Sequence, residues 1–215
     1  MVALETSLDH IVIAANHLDE AVYWARQTLG VDAQRGGQHT TMGTHNALIK
    51  LSDSTYLELL AIDPSLPEPP HPRWFTLSET ATKQRLKRRG PHLIAWAART
   101  DRLEQASAIL GGEIHDFKRD RYRWQMSLPS GGKLHEGGAV PLLLEWRSVL
   151  HPCQNLPEAG LRLVQLELTV RDPDETELLL KAIHFKMDRA VRLIVSRGTP
   201  ALRAIIDSPL GRIEI

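Results

Sequence analysis

Cysteine occurs once among the 215 residues, at Cys153. A single thiol excludes an internal disulfide and any multi-cysteine metal cluster, and it agrees with a reducing compartment. An excess of charge is missing too, since 26 Lys and Arg stand against 26 Asp and Glu. That balance leaves no electrostatic footprint for nucleic acid or an acidic membrane surface. No window approaches the roughly 18 uninterrupted apolar residues that a membrane-spanning helix needs. The opening MVALETSLDH also lacks the basic and apolar regions of a secretory signal. These absences predict a cytoplasmic protein without nucleic-acid or membrane partners.

What is present is a repeated order of elements. HIVIAA alternates faces as a strand buried on both sides, and Asn16, three residues before Asp19, reads as the N-cap of a helix that Gly30 ends. After the glycine-rich RGGQHTTMGTH, which reads as a turn region with a short strand near Gln38 to Met42, NALIKLS and TYLELLAI form a hairpin. Residues 1–63 thus make a first βαβββ module. The stretch DPSLPEPPHPRW, with five prolines in twelve residues, fits neither sheet nor helix interior and begins a linker, residues 64–84. The basic run KQRLKRR beside it reads as a solvated face.

PHLIAWAART restarts the pattern, with a capping box from Asp101 to Glu104 and a Gly-Gly stop, so residues 85–150 make a second βαβββ module. The glycines of GGKLHEGGAVP lie between strands and read as a hairpin connection rather than a phosphate cradle. LRLVQLELTV, the cap set Asp172, Pro173 and Glu175, and three further strands make residues 151–215 a third βαβββ-like module. The fold class is therefore α+β, with tandem βαβββ modules and an additional third copy.

Two residue types recur inside this frame. His10 and His92 head the first strands of the first two modules, and Glu58 and Glu145 interrupt their last strands, at intervals of 48 and 53 residues. In the third module Gln165 stands opposite His10 and Glu214 opposite Glu58. A carboxylate inside a buried strand needs a partner or a metal. Two imidazoles and two carboxylates form a mixed donor set suited to Zn, Fe, Mn, Ni or Co.

Tandem βαβββ units with this His and Glu placement resemble the vicinal oxygen chelate superfamily, which includes glyoxalase I, extradiol dioxygenases and bleomycin-resistance proteins. LDHIVIAANHLDEAV, GTHNALIKLSDSTYLELLAIDP, RWFTL and GGAVPLLLEW with the following HP resemble the glyoxalase-like domain family within it. The resemblance spans residues 8 to about 152. It implies a cup of curved sheet and places His10, Glu58, His92 and Glu145 at the four ligand positions of a divalent metal. It also implies a metal-dependent lyase, isomerase or dioxygenase for a small oxygenated molecule, with Glu145 or Glu58 shuttling a proton. Trp96, Trp124, His45 and Asn46 are the expected substrate contacts. The alternative it carries is a metal-free binder that sequesters a small ligand. The odd third module implies either pairing with its counterpart in a homodimer or packing on the outside as a half-cup.

Overall fold

The computed structural model describes residues 4–215. The first module runs β1 (Thr6–Ala14), α1 (Leu18–Leu29), β2 (Gln34–His39), β3 (Thr44–Lys50) and β4 (Tyr56–Ile62). Helix α2 (Thr80–Arg89) precedes the second module, which runs β5 (His92–Thr100), α3 (Leu103–Leu110), β6 (Glu113–Arg119), β7 (Tyr122–Leu128) and β8 (Leu142–Trp146). The third unit comprises β9 (Arg162–Val170), α4 (Pro173–Ala182), β10 (Phe185–Lys186), β11 (Arg192–Arg197), β12 (Ala201–Ser208) and β13 (Gly211–Glu214).

The first eight strands form one sheet in the order β2-β3-β4-β1-β5-β8-β7-β6, and β10 adds to the start of β1. The two modules meet at the antiparallel β1/β5 pair, where His10 lies opposite Ala97 and Ala14 opposite His92. The sheet curls until its edge strands β2 and β6 approach each other, which makes the expected cup.

Alternation along β1 divides two cores. Ile11 and Ile13 face the convex side, packed with α1, α3 and the third unit, whereas Val12 and Ala14 face the inside of the cup. The proline-rich stretch has no regular secondary structure, as its composition requires, but the chain after it is no free linker. Trp74, Phe75 and Leu77, with Leu86 of α2, fill the cup against Val12, Ala14 and Leu60. The KQRLKRR run is helical within α2, with Lys87, Arg88 and Arg89 in its last turn, where cations complement the helix dipole.

Local capping differs from the expectation in two helices. Helix α1 has His17, not Asn16, at its N-cap, with no side-chain bond. At α3 the cap is Arg102, also without a side-chain bond, and the Leu103 N–H donates instead to Glu145 Oε2 at 3.1 Å. A tertiary carboxylate therefore replaces the local capping box. Helix α4 matches its sequence: Asp172 accepts from the Asp174 and Glu175 amides, with Pro173 next to the cap, an arrangement that contributes about 1 kcal/mol.

The third unit keeps the chain order of strand, helix and later strands, but pairs them as β11-β9-β12-β13. Strand β11 runs parallel to β9 and β12 antiparallel to it. Leu163, Leu166, Leu168 and Ile206 bury this sheet on the convex core beside Trp96. Gln165 and Glu214 accordingly have local roles there, with Gln165 bonded to Glu167 and Glu214 accepting from Arg203 Nη1 at 2.8 Å.

Candidate functional site

The start of β1 builds the site. A register shift between Leu8 and His10 places Asp9 in a bulge, where its carboxylate is fully buried. Bulges re-aim side chains in this way beside functional sites. Asp9 Oδ1 lies 2.7 Å from His10 Nδ1, and Oδ2 accepts from Trp146 Nε1 at 2.9 Å and lies 3.1 Å from His151 Nε2. Burial, the largest influence, opposes ionisation of Asp9, yet the hydrogen bonds and charges of His10 and His151 outweigh it and hold the carboxyl well below its ordinary range.

An ionised carboxylate only accepts, so His10 turns a proton-bearing Nδ1 to Asp9 and presents Nε2 on the other side of the ring. That nitrogen faces Glu58 Oε2 at 3.6 Å. The other Glu58 oxygen accepts from Asn46 Nδ2 at 2.6 Å. Tyr56 stacks on the His10 ring at 4.7 Å between centroids and 19° between planes, which fixes the ring's orientation. Asn46 also lies 3.4 Å from His39 Nε2, while His39 Nδ1 lies 3.0 Å from Thr44 Oγ1. Burial, with the Arg119 charge next, pushes the His39 pKa well below its usual value, so this ring is neutral.

His10, Glu58 and His39 open onto a cavity walled by Trp74, Trp124 and Arg119. Its volume is about 30 Å³. Phe75, at φ 54, lines it from the loop that fills the cup, and Thr76 follows at φ 55. Non-glycine residues in this region carry strain that tertiary packing must hold.

The structure brings together His10, Glu58, Asn46 and Trp124, and it places the other expected site residues elsewhere. His92 lies opposite Ala14, at the far end of the β1/β5 pair, about 13 Å along the strand from His10. Its Nδ1 contacts the Gly90 carbonyl at 2.8 Å. Glu145 caps α3 and pairs with Arg147 at 2.6 Å. Trp96 points into the convex core, where its Nε1 donates to the Ala139 carbonyl at 2.9 Å. His45 Nδ1 sits 3.4 Å from Asp63, outside the cavity lining.

A divalent metal would need three or four protein donors. His10 and Glu58 supply two, and among the described residues no group of three His, Cys, Asp or Glu side chains is disposed to hold an ion. The donor set therefore does not fit the four-ligand site that the resemblance implies. Cys153 adds no donor: burial pushes its pKa up to about 12, which keeps it an inert thiol.

Asp9, His39, Arg119, His151 and Trp74 were not among the expected site residues. The sequence did carry signals for two of them, in the Asp-His pair of LDH and in the HP that follows the last strand of the second module.

Comparison with known proteins agrees with this architecture. The family model described as Glyoxalase-like domain matches residues 8–184, further than the motifs alone reach. Among solved structures, a hypothetical protein from Staphylococcus aureus is 14% identical with a TM-score of 0.57, covering 90% of this chain and 86% of that one. Methylmalonyl-CoA epimerase from Mycobacterium tuberculosis is 21% identical at TM-score 0.41, covering 65% and 85%. A single-residue variant of the Streptomyces coelicolor epimerase, in complex with 2-nitronate-propionyl-CoA, is 22% identical at TM-score 0.40, covering 66% and 97%. No curated protein matches. With a family match over most of its length and a cup of two βαβββ modules, this chain belongs to the glyoxalase-like domain family.

Proposed function

We propose that this protein is an enzyme that moves a proton on a small oxygenated molecule, an isomerase or lyase in class, with His10 as its acid-base group. The observation that carries this reading is the array Asp9–His10–Glu58, which ends in an aromatic-walled cavity. Asp9 holds the His10 tautomer and stabilises the imidazolium that forms when Nε2 takes a proton, as a buried carboxylate does for a catalytic histidine. Glu58, fixed by Asn46, accepts that proton or returns it to the opposite face of the ligand. Trp74 and Phe75 exclude bulk water, so the proton stays with the reacting pair.

The metal-dependent form of this reading, including a dioxygenase, needs His10, Glu58, His92 and Glu145 on one ion. Only the first two adjoin, so no step here is routed through a metal. A cytoplasmic location accords with the buried, unreactive Cys153. Among the described residues no helix is long and apolar enough to cross a membrane.

The test is solvent exchange. A panel of two- to four-carbon hydroxy and oxo compounds is incubated with the protein in D₂O, and C–H to C–D exchange is followed by NMR. The expected result is exchange in at least one compound, reduced about 10²- to 10⁴-fold in His10→Ala. Exchange that persists in the variant, or none with the wild type, would sink the assignment. The aromatic walls Trp74, Trp124 and Trp146 favour a second reading, a metal-free small-molecule binder. Saturable binding without exchange would support it.

A further inference from the structure

We infer that Arg119 is an anion receptor and that the ligand of this cavity is a compact carboxylate. The inference rests on the reading of the cavity as the functional site.

Arg119 is 7% exposed and lines the cavity, yet its Nε has no hydrogen-bond partner and, among the described residues, no carboxylate lies within 4.0 Å of its guanidinium. A buried guanidinium is always charged, and one without a counter-ion is an expense that a fold retains only for a purpose. A second lining donor is also unmatched, because the Trp74 Nε1 has no partner. Both side chains line the cavity, and neither of these N–H groups has an acceptor within the chain.

The placement of Arg119 is built into the sheet. It ends β6 at a two-residue hairpin, pairs with Tyr122 across the turn, and holds its Cζ 5.5 Å from the Tyr122 ring centroid. Its stem crosses β2 at Gly37, where a Cβ would meet Arg119 Cδ and Cγ at 3.0 Å. The glycine pair of RGGQH is therefore no turn. It is the part of β2, at the seam where the edge strands meet, that leaves room for the arginine.

Size and charge narrow the ligand class. A cavity of about 30 Å³ admits only a small ligand. The guanidinium fork also suits a planar carboxylate. His39, the neighbouring ring, is neutral and adds no competing charge. Glu58 is the anionic group on the cavity wall, so an acid bound at Arg119 is driven to turn its carboxylate away from Glu58 and its reacting carbon toward His10.

The test is quenching of intrinsic tryptophan fluorescence, with Trp74, Trp124 and Trp146 as reporters. Pyruvate and lactate are titrated beside their neutral amides, pyruvamide and lactamide, and beside inorganic phosphate. The wild type is expected to bind an acid about tenfold or more tighter than its amide. Arg119→Met should abolish that preference, and Arg119→Lys should restore part of it. His10→Ala should keep it, which separates failure of anion recognition from failure of the acid-base reading. Should Arg119→Met not fold, the acid-against-amide comparison on the wild type and Arg119→Lys still decides. No carboxylate preference in the wild type, whether nothing binds, acid and amide bind alike, or phosphate alone binds, overturns the inference. So does a preference that survives Arg119→Met.

Discussion

Asp9 and His10 are consecutive in the chain, yet both reach the same place: a bulge in β1 turns the carboxylate back onto the ring beside it, 2.7 Å from Nδ1. Consecutive residues of a regular strand face opposite ways, so the bulge is what makes the pair. Because Asp9 also serves Trp146 and His151, it ties β1 to β8 and to the loop beyond.

Replacing that carboxylate should cost stability. Asp9→Asn is expected to lose about 3 kcal/mol at pH 7, read from urea denaturation. The folded-state pKa of Asp9 is depressed, so its contribution is present above the unfolded value near pH 4 and is lost as pH falls through the lower, folded value. The gap between wild type and variant should therefore narrow steadily below about pH 4. A gap unchanged at pH 3 would contradict the assignment.

Glu58→Gln keeps the shape of the site and removes its charge. The exchange rate with an active compound should fall about 100-fold, while carboxylate binding at Arg119 holds or strengthens because a repelling charge has gone. NMR exchange and fluorescence titration on the same preparation check both halves.

Gly36 faces the Asn46 side chain so closely that an added Cβ would lie 2.0 Å from its Oδ1. Gly36→Ala should displace the Asn46 amide and release Glu58, lowering stability by about 1–3 kcal/mol. Asn46→Ala should show a similar loss of exchange activity without the steric cost. Thermal melts and exchange rates on the two variants distinguish them.

Glu145→Ala should cost about 1 kcal/mol through the lost α3 cap and leave exchange activity unchanged. Metal titration by calorimetry supplies the complementary check. Any zinc uptake by the wild type is expected to survive in His92→Ala and Glu145→Ala, and to fall in His10→Ala. Parallel loss in all four ligand-position variants would show that the chain gathers the set after all.

The sequence by itself determined the tandem βαβββ order, the strands that carry His10 and Glu58, the α4 cap and the family. These are local matters of periodicity, capping and motif. It also held a warning about the second module. His10 stands eight residues before Leu18, the first residue of α1, and the residue eight before Leu103 of α3 is Ala95, with His92 three positions earlier. Likewise Glu58 pairs with Val12, and Leu142 pairs with Ala97, so Glu145 lies three positions beyond the match. An odd shift carries a strand residue to the other face, which is why Glu145 meets α3 and not the cup.

Tertiary structure alone decided the rest. The Asp9 bulge depends on the pairing of β1 with β5, and the seam that seats Arg119 depends on how far the sheet curls. Whether Trp74 and Phe75 hang in a linker or close the cup depends on the chain packing back over the sheet. Each is a contact between residues far apart in the chain or a break in strand register, and no window of sequence encodes where such partners meet.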